Sequence, residues 1–134
     1  MSNTDLTNTL ISVLERLETL MTLKSEGFRA RAYQKAKESI ILYNKPITSV
    51  SEIASLRNIG KTIIAKFEYY LEHGTLQIFE KAKNDPVYMF ANIYGIGGKK
   101  AKSLVNEHGI TTIEQLRENQ QLLNNVQKIG LKYY

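Results

Sequence analysis

The chain has 134 residues, 43% of them hydrophobic and 23% charged, which suits one compact domain or two small helical ones and argues against long disordered stretches. Eighteen Lys and Arg against thirteen Asp and Glu leave a charge of +5, a surplus that favours polyanionic partners, nucleic acid first, and is equally compatible with a plain basic protein. The absence of cysteine excludes disulfides, thiolate zinc sites and a cysteine nucleophile, and no apolar run approaches a membrane span. The polar start Met1-Ser2-Asn3-Thr4-Asp5 has no basic stretch ahead of an apolar core, so a reducing intracellular compartment is expected, with no membrane partner.

In chain order, Leu6, Leu10, Leu14, Leu17 and Met21 recur at three- and four-residue intervals and predict a first amphipathic helix, which Gly27 breaks. A second helix is predicted from about Phe28 to Tyr43, with Tyr33, Ala36, Ile40 and Tyr43 on its apolar face. It stops at Asn44-Lys45-Pro46, because proline disfavours helix in the residue before it. A short helical turn around Ser49 to Ser55 precedes Leu56-Arg57-Asn58-Ile59-Gly60. A third helix carrying Ile63, Ile64, Phe67, Tyr70 and Leu71 comes next and closes at His73-Gly74. Another helix, about Leu76 to Lys83, ends at Asn84-Asp85-Pro86. This is the expected boundary between subdomains spanning 1–84 and 85–134.

The second half repeats the plan. Val87 to Tyr94 leads into Gly95-Ile96-Gly97-Gly98, and a lysine-rich helix runs on through Ala101, Leu104 and Val105 to Gly109. Thr111-Thr112-Ile113-Glu114 has the form of a capping box opening one more helix. No segment alternates with the period of a strand, so the fold class expected is all-α: two small helical subdomains, each carrying a helix-hairpin-helix motif.

The two hairpins, Asn58-Ile59-Gly60-Lys61 and Gly95-Ile96-Gly97-Gly98-Lys99-Lys100, share one form at an offset of 37 residues. Glycine lets a backbone turn tightly and approach a ligand with no Cβ in the way. The N-terminus of the next helix presents free N–H groups to an anion. A single Gly-Ile-Gly is more simply a tight connection between helices. Two, each opening a lysine-bearing helix, favour phosphate contacts that grip the DNA backbone and carry little sequence information. The candidates are Asn58, Gly60, Lys61 and Thr62 in the first hairpin and Gly95, Gly97, Lys99 and Lys100 in the second. A nucleotide-binding P-loop is not supported, since position 55 is Ser and no strand precedes Gly60-Lys61-Thr62.

Several segments resemble the family X DNA polymerases: Phe28-Arg29-Ala30-Arg31-Ala32-Tyr33-Gln34-Lys35-Ala36, Ile59-Gly60 with Lys66, Leu71 and Gly74, and Gly95-Ile96-Gly97 through Ile129-Gly130-Leu131-Lys132-Tyr133-Tyr134. The resemblance covers nearly the whole chain from about residue 8. It implies a lyase-type helical domain followed by a DNA-binding subdomain. A C-terminal polymerase palm would lie beyond Tyr134, so nucleotidyl transfer is not expected here, and no Asp-x-Asp pair occurs.

The same resemblance implies that Lys66 is a catalytic nucleophile. It would form a Schiff base with the aldehyde of a 5′-deoxyribose phosphate, without a cofactor, while Tyr33 positions the sugar phosphate and Arg29, Lys35 and Lys61 neutralise it. Local physics allows this, because Lys66 flanks the buried stripe Ile63, Phe67 and Tyr70. Partial desolvation beside other cations favours a neutral, nucleophilic amine. Without the resemblance, a snorkelling lysine is the simpler reading. A monovalent cation, Na+ or K+, is implied on the backbone carbonyls of Ala54, Leu56 and Ile59, and of Ala91, Ile93 and Ile96. The implied partner is gapped, nicked or abasic DNA with a 5′-phosphate, in the nucleus or another site of DNA repair.

The sequence departs from the family at Ala65, where a glutamate is common, at Phe28, where a histidine is, and at Thr62 and Ile78, where lysines are. Glu68, His73 or water could then serve as base. Two alternatives stay open: a non-enzymatic DNA clamp with a decayed lyase site, and a module for protein contacts.

Overall fold

The computed structural model describes residues 4–134, so Met1-Ser2-Asn3 of the polar start lies outside the described residues. The elements are α1 (Thr7–Leu23), α2 (Gly27–Tyr43), a 3-10 turn (Val50–Ile53), α3 (Lys61–His73), α4 (Gln77–Ala82), α5 (Pro86–Ala91), α6 (Gly98–Asn106), α7 (Ile113–Glu118), a 3-10 turn (Gln120–Leu122) and α8 (Asn125–Lys132). Among the described residues there is no strand, as the absence of period-two patterning required. No described helix is long and apolar enough to cross a membrane.

The chain divides into two compact units, the first running to Gln77 and the second from Ile78 to Tyr134. The division falls ahead of Asn84-Asp85-Pro86, the boundary read from the sequence. Hydrogen bonds account for the shift: Lys83, Asn84 and Asp85 donate backbone N–H to the carbonyls of Phe79, Lys81 and Ala82, tying the end of α4 to the cap of α5. Asp85 and Pro86 open a helix instead of marking a linker. The Asp85 carboxylate accepts the Val87 N–H at 2.9 Å, and Pro86 sits in the first turn, where its missing N–H costs nothing.

In the first unit α1 packs against α2, burying Leu10, Val13, Leu14, Leu17, Leu20 and Met21 from one helix and Ala30, Ala36 and Ile40 from the other. Lys37 of α2 bridges to Glu15 of α1 at 3.5 Å and reaches Glu18 at 4.0 Å. The break between these helices is made by Ser25, at φ +61°, while Gly27 is the first residue of α2. A left-handed serine suffices because the Lys24 and Glu26 N–H groups return to the Leu20 and Met21 carbonyls and close the turn. Tyr33 and Tyr43, expected on the buried face, are only half-buried.

Two carboxylates pin the segment that follows α2. Asp5 accepts from the Thr7 hydroxyl, the Thr7 N–H and the Ile47 N–H, the last across 42 positions, and these bonds hold its carboxyl below the usual carboxylate range. Glu52 accepts from the Thr48 hydroxyl and N–H, from the Tyr43 hydroxyl and from the Ser49 N–H, with the same effect. A carboxylate depressed in the folded state stabilises above its unfolded pKa, and that stability is lost as pH falls through the folded value. The thermal midpoints of Asp5→Asn and Glu52→Gln are therefore expected below wild type at pH 7, converging on it below about pH 4. A gap that stays constant across an acid titration would show that neither charge contributes.

The core of the second unit is Phe90, Ile93, Ile96, Ala101, Leu104, Ile110, Leu116, Leu123 and Leu131, with α5 packed on α6. The capping box of α7 stands one residue later than the sequence suggested. Thr112, not Thr111, is the N-cap and accepts from the Gln115 N–H at 3.0 Å, while the Gln115 carboxamide accepts the Thr111 N–H at 2.8 Å. Gln115 thus does what Glu114 was expected to do, because Ile113 must lie on the side packed against the core. Helix α8 opens on the capping sequence Asn124-Asn125-Val126-Gln127, its one local signal in the sequence.

Candidate nucleic-acid interface

The two hairpins are built alike down to single hydrogen bonds. In the first, Leu56 N–H donates to Ile53 O, Ile59 N–H to Leu56 O and Ile64 N–H to Gly60 O; in the second the same bonds join Ile93 to Phe90, Ile96 to Ile93 and Ala101 to Gly97. Ile59 and Ile96 are both buried, as the wedge of each hairpin requires. Removing either from water stabilises its hairpin by about 1.5–3 kcal/mol.

The residues that make the turns are Asn58 at φ +68° and Gly95 at φ +84°. Gly60 and Gly97 are the N-caps of α3 and α6, in ordinary extended conformations with φ of −98° and −89°. Their backbone does not demand glycine. Nor does packing, since a Cβ at either would meet no protein atom within 4 Å. What glycine provides at both places is an open approach to the first N–H groups of a helix. No side chain caps these two helices, whereas α5, α7 and α8 are capped by Asp85, Thr112 and Asn124. The uncapped N–H groups and the positive helix end form a receptor for an anionic oxygen.

Cations surround the first hairpin. A cleft of about 320 Å³ is lined by Phe28, Arg31, Ala32, Lys35 and Asn58. A neighbouring cleft of about 630 Å³ shares Lys35 and Asn58 and adds Arg57, with the carboxylate of Glu38 also on its wall beside Leu42 and Leu56. The Asn58 carboxamide reaches the Ser39 hydroxyl of α2 at 3.4 Å. The structure brings Lys35 and Asn58 to the same clefts and adds two residues that the sequence reading did not select. Arg31 stands four residues before Lys35 on the same helical face, a spacing that could have found it. Arg57 sits in the turn itself, where no periodicity signals it. Among the described residues no carboxylate lies within 4.0 Å of the charged nitrogens of Arg31, Lys35, Arg57, Lys61, Lys66, Lys99 or Lys100.

Arg29 points elsewhere, pairing with Glu26 at 3.6 Å. Tyr33 lies beside that pair. Its burial pushes the phenol up from its ordinary value, with Arg29 opposing the shift. Phe28 is 89% exposed and Lys66 is half-buried. Lys66 lines neither cleft; it lies on α3 beyond Lys61 and Thr62, with Tyr69 and His73 near its face, their rings 4.2 Å apart. The carbonyls read as a cation site belong to these same turns. Leu56 O and Ile93 O each accept one hydrogen bond within the hairpin and keep a second lone pair. Peptide oxygens of this kind are hard donors, suited to Na+ or K+.

Comparison with known proteins agrees with this geometry. The family described as a helix-hairpin-helix domain matches residues 7–76, and the fingers domain of DNA polymerase lambda matches residues 88–134. DNA polymerase type-X family protein pol4 of Schizosaccharomyces pombe is 29% identical over 128 residues, 92% of this chain and 25% of that protein. DNA polymerase lambda of Rattus norvegicus is 31% identical over 133 residues, 96% of this chain and 23% of the relative. DNA-directed DNA/RNA polymerase mu of Homo sapiens is 30% identical over 114 residues, 82% and 23% respectively. The chain spans about a quarter of the length of these curated relatives. With the helix-hairpin-helix domain matching residues 7–76 and the fingers domain residues 88–134, the chain belongs to the family X DNA polymerases.

Proposed function

We propose that the chain grips the backbone of gapped or nicked DNA with its two hairpins and removes a 5′-deoxyribose phosphate through Lys66, within a repair polymerase acting in the nucleus or another site of DNA repair. One observation carries the DNA reading: Gly60 and Gly97 occupy equivalent N-caps where neither backbone nor packing requires glycine. The space they leave open faces uncapped helix N-termini followed by Lys61, Lys99 and Lys100. A phosphate oxygen fits there by charge and by size. The carbonyls of Ala54, Leu56 and Ile59, and those of Ala91, Ile93 and Ile96, would hold Na+ or K+ beside such a phosphate. The ion would screen phosphate from carbonyl.

In the lyase step, the Lys66 amine attacks the C1′ aldehyde and loses water to form a Schiff base. A base removes a C2′ proton, the C3′–O bond breaks and the 3′ phosphate departs with the electron pair. Water then frees the lysine. Glu68 lies two residues from Lys66, about 200° around the helix, whereas His73, seven residues on, returns to the same face. His73 nevertheless stands about 10 Å further along the helix axis, so water is the nearer base. Arg31 and Arg57 join Lys35 and Lys61 as cations for the 5′-phosphate, whereas Tyr33 stands with the Arg29–Glu26 pair, outside both clefts.

Binding to a 5′-phosphorylated gapped duplex tests the DNA reading. Log affinity is expected to fall with log salt with a slope of about −3 or steeper, near −0.9 for each phosphate held. Affinity for intact duplex is expected to be weaker. Equal affinity for both reduces the chain to a general clamp, and binding that ignores salt points to a module for protein contacts.

A further inference from the structure

Gln127 is the one buried polar side chain among the described residues, 8% exposed. Its amide is engaged at both the oxygen and the nitrogen. Oε1 accepts the Asn124 N–H at 3.0 Å and Nε2 donates to the Gly95 carbonyl at 3.1 Å, 32 positions away. The orientation of the amide is set by its partners, since an N–H can meet only the oxygen and a carbonyl only the nitrogen. The first contact belongs to the capping box of α8, in which Asn124 accepts the Gln127 N–H at 2.8 Å. The second does nothing for α8. It holds the peptide joining Gly95 to Ile96, one residue ahead of Gly97.

Two further contacts seat α8 on the same turn. A Cβ at Gly130 would stand 2.0 Å from the Tyr94 carbonyl oxygen, so helix and turn touch through backbone. A Cβ at Gly95 would stand 3.0 Å from Val126 Cγ1. The first hairpin has a different tie: there the turn residue is Asn58, and its own side chain makes an exposed 3.4 Å bond to Ser39. The hairpins are alike in backbone and differ in what stands behind them.

We propose that Gln127 is the positioning residue of the second hairpin, fixing the Gly95–Ile96 peptide so that Gly97 and the first turn of α6 are preset for a phosphate. This rests on the reading that the second hairpin binds DNA. Preset donors avoid the ordering cost that a mobile turn incurs on binding.

The test compares four forms of the full chain on a gapped duplex across a range of salt: wild type, Gln127→Met, Asn124→Ala and the double variant Lys99→Ala/Lys100→Ala. Gln127→Met keeps the volume and loses the tie, and is expected to bind about three- to tenfold more weakly, with a salt slope shallower by about one. Asn124→Ala weakens the helix cap but leaves the Gly95 contact, so it is expected to lower stability and leave affinity and slope unchanged. Amide NMR shifts of Gly97, Gly98 and Lys99 should move in Gln127→Met and stay in Asn124→Ala. Unchanged affinity and slope in a folded Gln127→Met overturn the proposal. Loss of the second unit's fold in that variant overturns it too, since Gln127 is then a stabilising residue only. If the double lysine variant binds like wild type, the hairpin reading itself fails.

Discussion

Lys66→Ala should abolish the covalent adduct trapped by borohydride on DNA bearing a 5′-deoxyribose phosphate, reducing it by at least about 100-fold, the scale on which loss of a covalent nucleophile is felt. The amine is the only protein group in this mechanism that forms a bond to carbon, so no neighbour can replace it by adjustment. Lys61 opens the same helix but lies five residues earlier, about 140° around it, and faces another direction. Lys66→Arg sharpens the result. It keeps the positive charge and removes the nucleophile, because guanidinium does not deprotonate in proteins. Both variants should bind gapped DNA within about fivefold of wild type, as expected for one partly exposed charge. Trapping that persists in both would place the Schiff base elsewhere. If wild type binds gapped DNA but is not trapped, Ala65 and Phe28 mark a decayed site and the clamp reading stands.

The second large effect is a contrast between two glycines of one unit. Gly130→Ala should destabilise the second unit by about 3 kcal/mol or more, read from urea denaturation. The added Cβ would lie 2.0 Å from the Tyr94 oxygen and 2.8 Å from its carbonyl carbon, both backbone atoms that cannot rotate away. Helix α8 would have to lift, withdrawing Leu131 from the core and breaking the Gln127–Gly95 bond. The better helix propensity of alanine returns at most about 1 kcal/mol.

Gly97→Ala adds the same methyl group where no protein atom lies within 4 Å and φ is −89°. Stability should stay within about 1 kcal/mol of wild type, since the entropy gained and the poorer N-cap nearly cancel. DNA affinity should instead fall by about tenfold, the cost of spoiling hydrogen bonds to a charged group. If Gly97→Ala binds DNA normally, the open space at the hairpin has no ligand and the phosphate reading loses its main support.

The sequence by itself determined what depends on local periodicity and local chemistry. Leu10, Leu14, Leu17 and Met21 specify α1 because only a helix puts residues at that spacing on one face. The duplicated x-Ile-Gly followed by lysine identified both hairpins, since the bonds that close them span only three or four residues. Gly74 was recognisable as a helix stop for the same reason, and takes φ +73°. Cap registers were less secure. Thr111 and Thr112 are both capable N-caps, and the choice fell to Thr112 only when the core claimed Ile113.

The tertiary structure alone decided which glycine does what. Gly60, Gly95, Gly97 and Gly130 are identical as letters. They differ in what surrounds them: a positive φ at Gly95, a neighbouring carbonyl at Gly130, and open space at Gly60 and Gly97. The packing also turned Arg29 toward Glu26, gathered Arg31, Lys35, Arg57 and Asn58 around adjoining clefts, and buried Gln127 against a turn 32 residues away. The meeting of Asn58 with α2 and the Gln127 contact were not legible, because each depends on elements distant in sequence meeting in space, whereas Arg29–Glu26 and Arg31–Lys35 are local spacings on one helix. A one-dimensional pattern records which face a residue occupies on its own helix. It does not record what that face will meet.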